Sequence, residues 1–159
     1  SYWSVGANNE SKIFAKQAIE LLICNLEDTV NKPNTIIRKA VMQGAYLAGK
    51  AINITKTTAP HAISYAFTTY FSIPHGHAVF LTLPQFFVAN DKVTELNVND
   101  SRGKEYVQKT MKELYDLLKV NSANEAKDLL EDLLNKIGLE KSYAKLGING
   151  EEEIQLIMS

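Results

Sequence analysis

The chain has 159 residues, 45% of them hydrophobic and 22% charged, enough for one globular domain with a real core. With 17 basic and 18 acidic residues the net charge is −1, which gives no electrostatic ground for a nucleic-acid or membrane partner. The single cysteine, Cys24, excludes an internal disulfide, and no apolar run reaches the roughly 20 residues a bilayer requires, so a reducing cytoplasm is the expected setting.

In chain order, Asn8 or Asn9 is a natural N-cap for a helix reaching about Asp28, with Phe14, Ala18, Leu21, Leu22 and Leu26 at helical spacing. Cys24 lies on that apolar stretch and reads as core. Lys32-Pro33-Asn34 ends the element, and a second helix runs from about Thr35 to Ile54. Its Ala40, Gly44 and Ala48 form a small-residue stripe that another helix can approach closely. Apolar residues surround nearly its whole circumference, so it is expected to be the buried central helix. Thr55 to Pro60 is a polar break, with Thr58 a cap and Pro60 in the first turn of the next helix.

Ala78 to Leu83 is a continuous apolar run that periodicity alone cannot assign to strand or helix, and Pro84 is expected to kink or restart it. Beyond the polar connection at Asn97 to Ser101, an amphipathic helix to about Val120 carries Val107, Met111, Leu114 and Leu118 on one face. Ser122 and Glu125 fit a capping box for a helix that should stop at Gly138. A short helix ends at Gly147, and Glu151 to Glu153 put negative charge on the first turn of a last one. The expected fold is all-α, a compact bundle of about seven or eight helices. No glycine-rich phosphate loop follows a strand anywhere, and no internal repeat is present.

The chemistry concentrates between Pro60 and Pro84, PHAISYAFTTYFSIPHGHAVFLTLP, where His61, His75 and His77 fall within 17 residues. Neutral imidazole is the commonest metal ligand among side chains. His61 and His75 are 14 positions apart, a distance of roughly 21 Å along an unbroken helix. Only a helix that stops before Phe71 and a chain that doubles back can bring both to one ion, and Pro74 supplies the break.

The pattern His-Ala-x-x-Tyr, then Ile73-Pro74-His75-Gly76-His77-Ala78, then Leu83-Pro84, resembles the iron-containing (group III) alcohol dehydrogenases. Ala48 to Asn53 is similar to the helix that leads into the first histidine in that family. The resemblance is dense from Ser1 to about Asn90 and fades toward the C-terminus. It implies the helical second domain of the dehydroquinate synthase-like architecture, and it favours helix for the run after His75. It also implies that His61 and His75 are two of four metal ligands, for Fe2+ or Zn2+. Ser1-Tyr2 looks like the sequence that directly follows the family's other two ligands, an Asp-x-x-x-His pair. By that resemblance the chain starts between the two halves of its metal site and is a single helical domain, 1–159, lacking an upstream α/β nucleotide-binding domain. Its end at Ile157-Met158-Ser159 is early by the family's measure.

The implied activity of the complete protein is hydride transfer between NAD or NADP, bound mainly by the missing domain, and a small aldehyde or alcohol, with room for a homodimer. Many members carry a histidine four residues after the first ligand; here Tyr65 stands there, and Tyr65 and His77 become the candidates to face the substrate. Lys56-Thr57-Thr58-Ala59-Pro60-His61-Ala62 is similar to the branch that includes phosphonoacetaldehyde reductases, which implies Lys56, Thr57 and Thr58 as substrate-binding residues for an anionic group. The contrasting reading is a non-catalytic helical scaffold or interaction domain, in which His61 and His75 lie apart or with unrelated partners. A structural zinc site built from Cys24 and the three histidines is its weaker variant, because Cys24 lacks a paired ligand nearby.

Overall fold

The computed structural model describes residues 1–158, in seven α-helices with no β-strand among those residues. Ser159, the last residue of the ending compared with the family above, lies outside the described residues. The helices are α1 (Asn9–Asn31), α2 (Thr35–Thr55), α3 (Ala59–Phe71), α4 (His75–Asp91), α5 (Lys104–Leu118), α6 (Ala123–Lys136) and α7 (Glu151–Met158), with one 3-10 turn at Ala144–Leu146.

Each start has a local cause. Asn8 caps α1 through its side chain on the Ser11 N–H, and the Ser11 hydroxyl returns to the Asn8 N–H, so the reciprocal capping box forms here. Asn34 caps α2 by accepting from the Ile37 N–H. Ser122 accepts from the Glu125 N–H as expected, but the Glu125 carboxylate turns to the N–H and side chain of Asn121, so only half of the anticipated box is present. Gly138 and Gly147 take φ of +74° and +85°, the left-handed turns that stop α6 and the 3-10 turn. Helix α4 runs unbroken through Pro84.

The main core joins Phe87 of α4 to Met111, Leu114, Tyr115 and Leu118 of α5 and to Ala126 and Leu130 of α6. Trp3 sits edge-on to Phe87 with ring centroids 4.9 Å apart, which pins the N-terminal segment to α4. A second cluster, Phe67, Ile73, Ala78, Leu81 and Ile148, locks α3 to α4 and to the segment before α7.

The central-helix expectation for α2 is overturned. It packs chiefly against α1, and only Gly44, Leu47, Ala51 and Thr55 are buried, while Ile36, Met42 and Tyr46 are 83%, 72% and 66% exposed. The small-residue stripe does serve close approach: a Cβ on Gly44 would lie 2.9 Å from Leu22 Cγ of α1. Apolar residues around a helix say what it can bury, and here one neighbour covers one face. Cys24 is likewise exposed on α1, not core.

Candidate metal centre

His61 lies in the first turn of α3, where Thr58 and Pro60 start the helix and the His61 N–H donates to the Thr58 carbonyl at 2.9 Å. Helix α3 continues through Phe71, further than the sequence suggested. Ser72 then takes a left-handed conformation, φ 54° and ψ 25°, and Pro74 begins α4. From Tyr65 to Phe71 the helix rises about 9 Å, and the link to His75 can recover that at up to roughly 3.5 Å per residue. The reversal therefore brings His75 back beside the start of α3 without needing a short helix.

The result is two imidazoles with ring centroids 5.1 Å apart and planes 54° apart. At that separation one nitrogen of each ring can reach the same ion through bonds of about 2.1 Å. Tyr65 stacks on His75 at 5.8 Å. Burial, helped by the neighbouring His75, pushes the His61 pKa down, which keeps its ring neutral and its lone pair available near neutral pH. The donor set therefore fits a divalent ion of the iron or zinc kind. Among the described residues no third His, Cys, Asp or Glu joins the pair, so the Cys24-with-three-histidines zinc site does not form.

His77 is turned elsewhere. Its Nε2 donates to the Glu140 carbonyl at 2.7 Å, tying α4 to the segment after α6. Thr58 accepts from the Trp3 indole N–H at 3.0 Å. Thr58 and His61 both line an apolar cavity of about 390 Å³, walled by Leu22, Phe80, Phe87 and Leu118. Lys56 and Thr57 are exposed on the α2–α3 link and do not line it. Lys56 adopts φ 64° and ψ −178°, a region that side-chain-bearing residues occupy at a cost of order 1–3 kcal/mol. Lys56→Gly is expected to raise the melting temperature by several degrees. An unchanged or lower melting temperature in a calorimetric scan would show that the lysine stands there without strain.

Sequence reasoning missed Ser64, which is fully buried under His75. Its hydroxyl donates to the His61 carbonyl at 2.6 Å, and its oxygen lies 3.1 Å from His75 Nδ1. A serine three residues after a candidate ligand was the available signal, and it is weak without knowing that the chain folds back. It was also missed that Arg102 would anchor the N-terminal segment, donating to the carbonyls of Ser4 and Ala7.

The domain is all-helical and presents two converging imidazoles from the starts of two adjacent helices. The chain belongs to the Fe-containing alcohol dehydrogenase family: the model of that family's C-terminal domain matches residues 1–159. The chain is 32% identical over 165 residues to 4-hydroxybutyrate dehydrogenase from Clostridium kluyveri, covering 98% of this chain and 40% of that protein. It is 30% identical over 110 residues to phosphonoacetaldehyde reductase from Streptomyces viridochromogenes, covering 69% of this chain and 28% of that one. Among solved structures, sulfoacetaldehyde reductase from Bifidobacterium kashiwanohense in complex with NAD+ superposes with a TM-score of 0.79 at 25% identity, over 99% of this chain and 39% of that one. A 1,3-propanediol oxidoreductase, at 21% identity, shares the fold with a TM-score of 0.76, over 99% of this chain and 41% of that one. The chain thus spans well under half the length of these relatives. Among the described residues no helix is long and apolar enough to cross a membrane.

Proposed function

We propose that the chain is the metal-binding helical domain of a cytoplasmic NAD(P)-dependent dehydrogenase or reductase of small alcohols and aldehydes. The observation that carries this is the approach of His61 and His75 to 5.1 Å from positions 14 apart in the sequence. A scaffold domain gives no reason for that convergence. A bound divalent ion of the iron or zinc kind supplies Lewis acidity toward a carbonyl or alcohol oxygen.

The protein's own residues do the rest of what this half of the site requires. His61 and His75 donate neutral nitrogens. Tyr65, stacked on His75, is the residue of α3 placed to meet a substrate beside that ring. The apolar wall that runs from Thr58 and His61 gives His61 an apolar surround on that side. Lys56, Thr57 and Thr58 remain the candidates for an anionic substrate group, supported by the relatives named for phosphonoacetaldehyde and 4-hydroxybutyrate. Thr58 carries the better geometry of the three, because it shares the cavity with His61.

In this reading an α/β nucleotide-binding domain ahead of Ser1 provides the hydride carrier and the other two ligands. Its support is that Ser1 lines the same cavity as His61. Two histidines leave an ion with half its protein ligands, and tight binding needs the full preorganised set. The isolated chain is therefore expected to fold, to hold metal weakly or not at all, and to show no turnover with NAD(P). Joining it to the upstream domain should restore both, read as bound metal by elemental analysis and as aldehyde-dependent oxidation of the reduced nicotinamide. Turnover by the isolated chain would overturn the proposal.

A further inference from the structure

Ser64 sits between the two candidate ligands and touches both residues. A serine hydroxyl has one proton to give. At 2.6 Å from the His61 carbonyl, an oxygen that can only accept, that proton is committed to His61. The Ser64 oxygen therefore faces His75 Nδ1, 3.1 Å away, with lone pairs only, and the favourable partner is a protonated Nδ1. In neutral His75 this leaves the free lone pair on Nε2, the nitrogen at the far side of the ring from Ser64. Helical serines commonly bond back to a carbonyl one turn earlier. What sets Ser64 apart is that the same oxygen also meets a ring from another helix, and that the residue is wholly buried. Tyr65, stacked at 5.8 Å, borders the face of the ring whose edge Ser64 holds.

We propose that Ser64 is the positioning residue of the metal centre, fixing His75 in the tautomer that presents Nε2 to the ion and linking that choice to the backbone of His61. This rests on the reading of His61 and His75 as ligands, and the test keeps the two apart. Long-range 15N–1H spectra of the metal-free chain, recorded near pH 8 where ordinary histidines are neutral, report which nitrogen of each ring carries the proton. His75 should show a protonated Nδ1 in the native chain, lose that preference in Ser64→Ala and regain it in Ser64→Thr. Alanine is the better helix former, so the variant should fold as well as the parent, which circular dichroism checks. In the protein that carries the upstream domain, Ser64→Ala should weaken Zn2+ binding by roughly 10–100-fold, the usual consequence of losing a partner behind a ligand.

A His75 that carries its proton on Nε2, or a tautomer unmoved by Ser64→Ala, overturns the role given to Ser64 whatever the metal does. A shifted tautomer with unchanged Zn2+ affinity overturns it as well. If His75→Ala itself leaves Zn2+ affinity intact, it is the ligand reading that fails, and the spectra of the metal-free chain still report on the contact between Ser64 and His75.

Discussion

His61→Ala and His75→Ala, each made in a protein that joins this chain to the proposed nucleotide-binding domain, are expected to lower metal-dependent turnover on the order of a thousandfold or more. A Lewis-acid contribution of several kcal/mol sets that scale at about 1.4 kcal/mol per tenfold. On the proposed reading either variant removes one of four ligands, and neither should disturb the fold. His75 is exposed at the first position of α4, and its removal leaves the Phe67, Ile73, Ala78, Leu81 and Ile148 cluster intact. His61 is half-buried, and its backbone N–H stays bonded to Thr58 whatever the side chain. Matched circular dichroism with lost bound metal and lost turnover is the expected pattern. His77→Ala separates ligand from neighbour: it breaks the bond to the Glu140 carbonyl and should cost stability while sparing metal content. Full activity with either His61 or His75 replaced would sink the assignment.

How far the sequence carried this site depends on the kind of interaction. Helix starts at Asn8 and Ser122 were legible because a cap acts over three residues of chain, while the cap at Asn34 was read only as the break around Pro33. The reversal between α3 and α4 was legible as a break at Pro74, although its left-handed hinge fell on Ser72, a residue with no special preference for that conformation. The pairing of His61 with His75 came from a motif, and the bare spacing argued only that the chain must turn. Ser64 was not legible, since its meaning lies in a contact across 11 positions that the turn creates. Nor was the exposure of α2 and Cys24, because an apolar circumference records what could be buried and not which neighbour arrives. The direction of His77 depended on where the segment after α6 returns, which no local pattern encodes.

Arg102 is the other contact that sequence left hidden, and its loss should be the largest stability effect outside the core. Its guanidinium makes a two-point contact with Asp100, Nε to Oδ1 at 2.8 Å and Nη2 to Oδ2 at 2.6 Å. The remaining donors reach the Ala7 carbonyl at 2.6 Å and the Ser4 carbonyl at 3.0 Å, and the guanidinium carbon lies 3.9 Å from the centre of the Tyr106 ring. One side chain thus fastens the segment that carries Ser1 and Trp3 onto the start of α5. Asp100 is 8% exposed, so truncating its partner leaves a buried carboxylate with only the Arg102 backbone N–H and takes a donor from the Ala7 carbonyl, while the Ser4 carbonyl keeps the Ala7 N–H. The cost for a fully buried pair runs to 3–5 kcal/mol, and the partly exposed guanidinium brings the expectation for Arg102→Ala down to about 3 kcal/mol. For a domain of this size that is a fall of roughly 6–12 °C in melting temperature. Arg102→Lys should lose most of the same stability, because an ammonium keeps the charge but not the fork. The pair also sets an acid limit. The hydrogen bond from Arg102 holds the Asp100 carboxyl below its ordinary value of 3.8, outweighing the burial that would raise it. A depressed folded pKa contributes stability that is complete above the unfolded value and is lost as pH falls through the folded one. Between pH 7 and 5 the contribution of the pair is therefore expected to stay constant, and below about pH 4 it should fall away. Arg102→Ala should flatten that acid limb in urea unfolding measured across the range, and a variant as acid-sensitive as the parent would show that the stabilising partner of Asp100 is not Arg102.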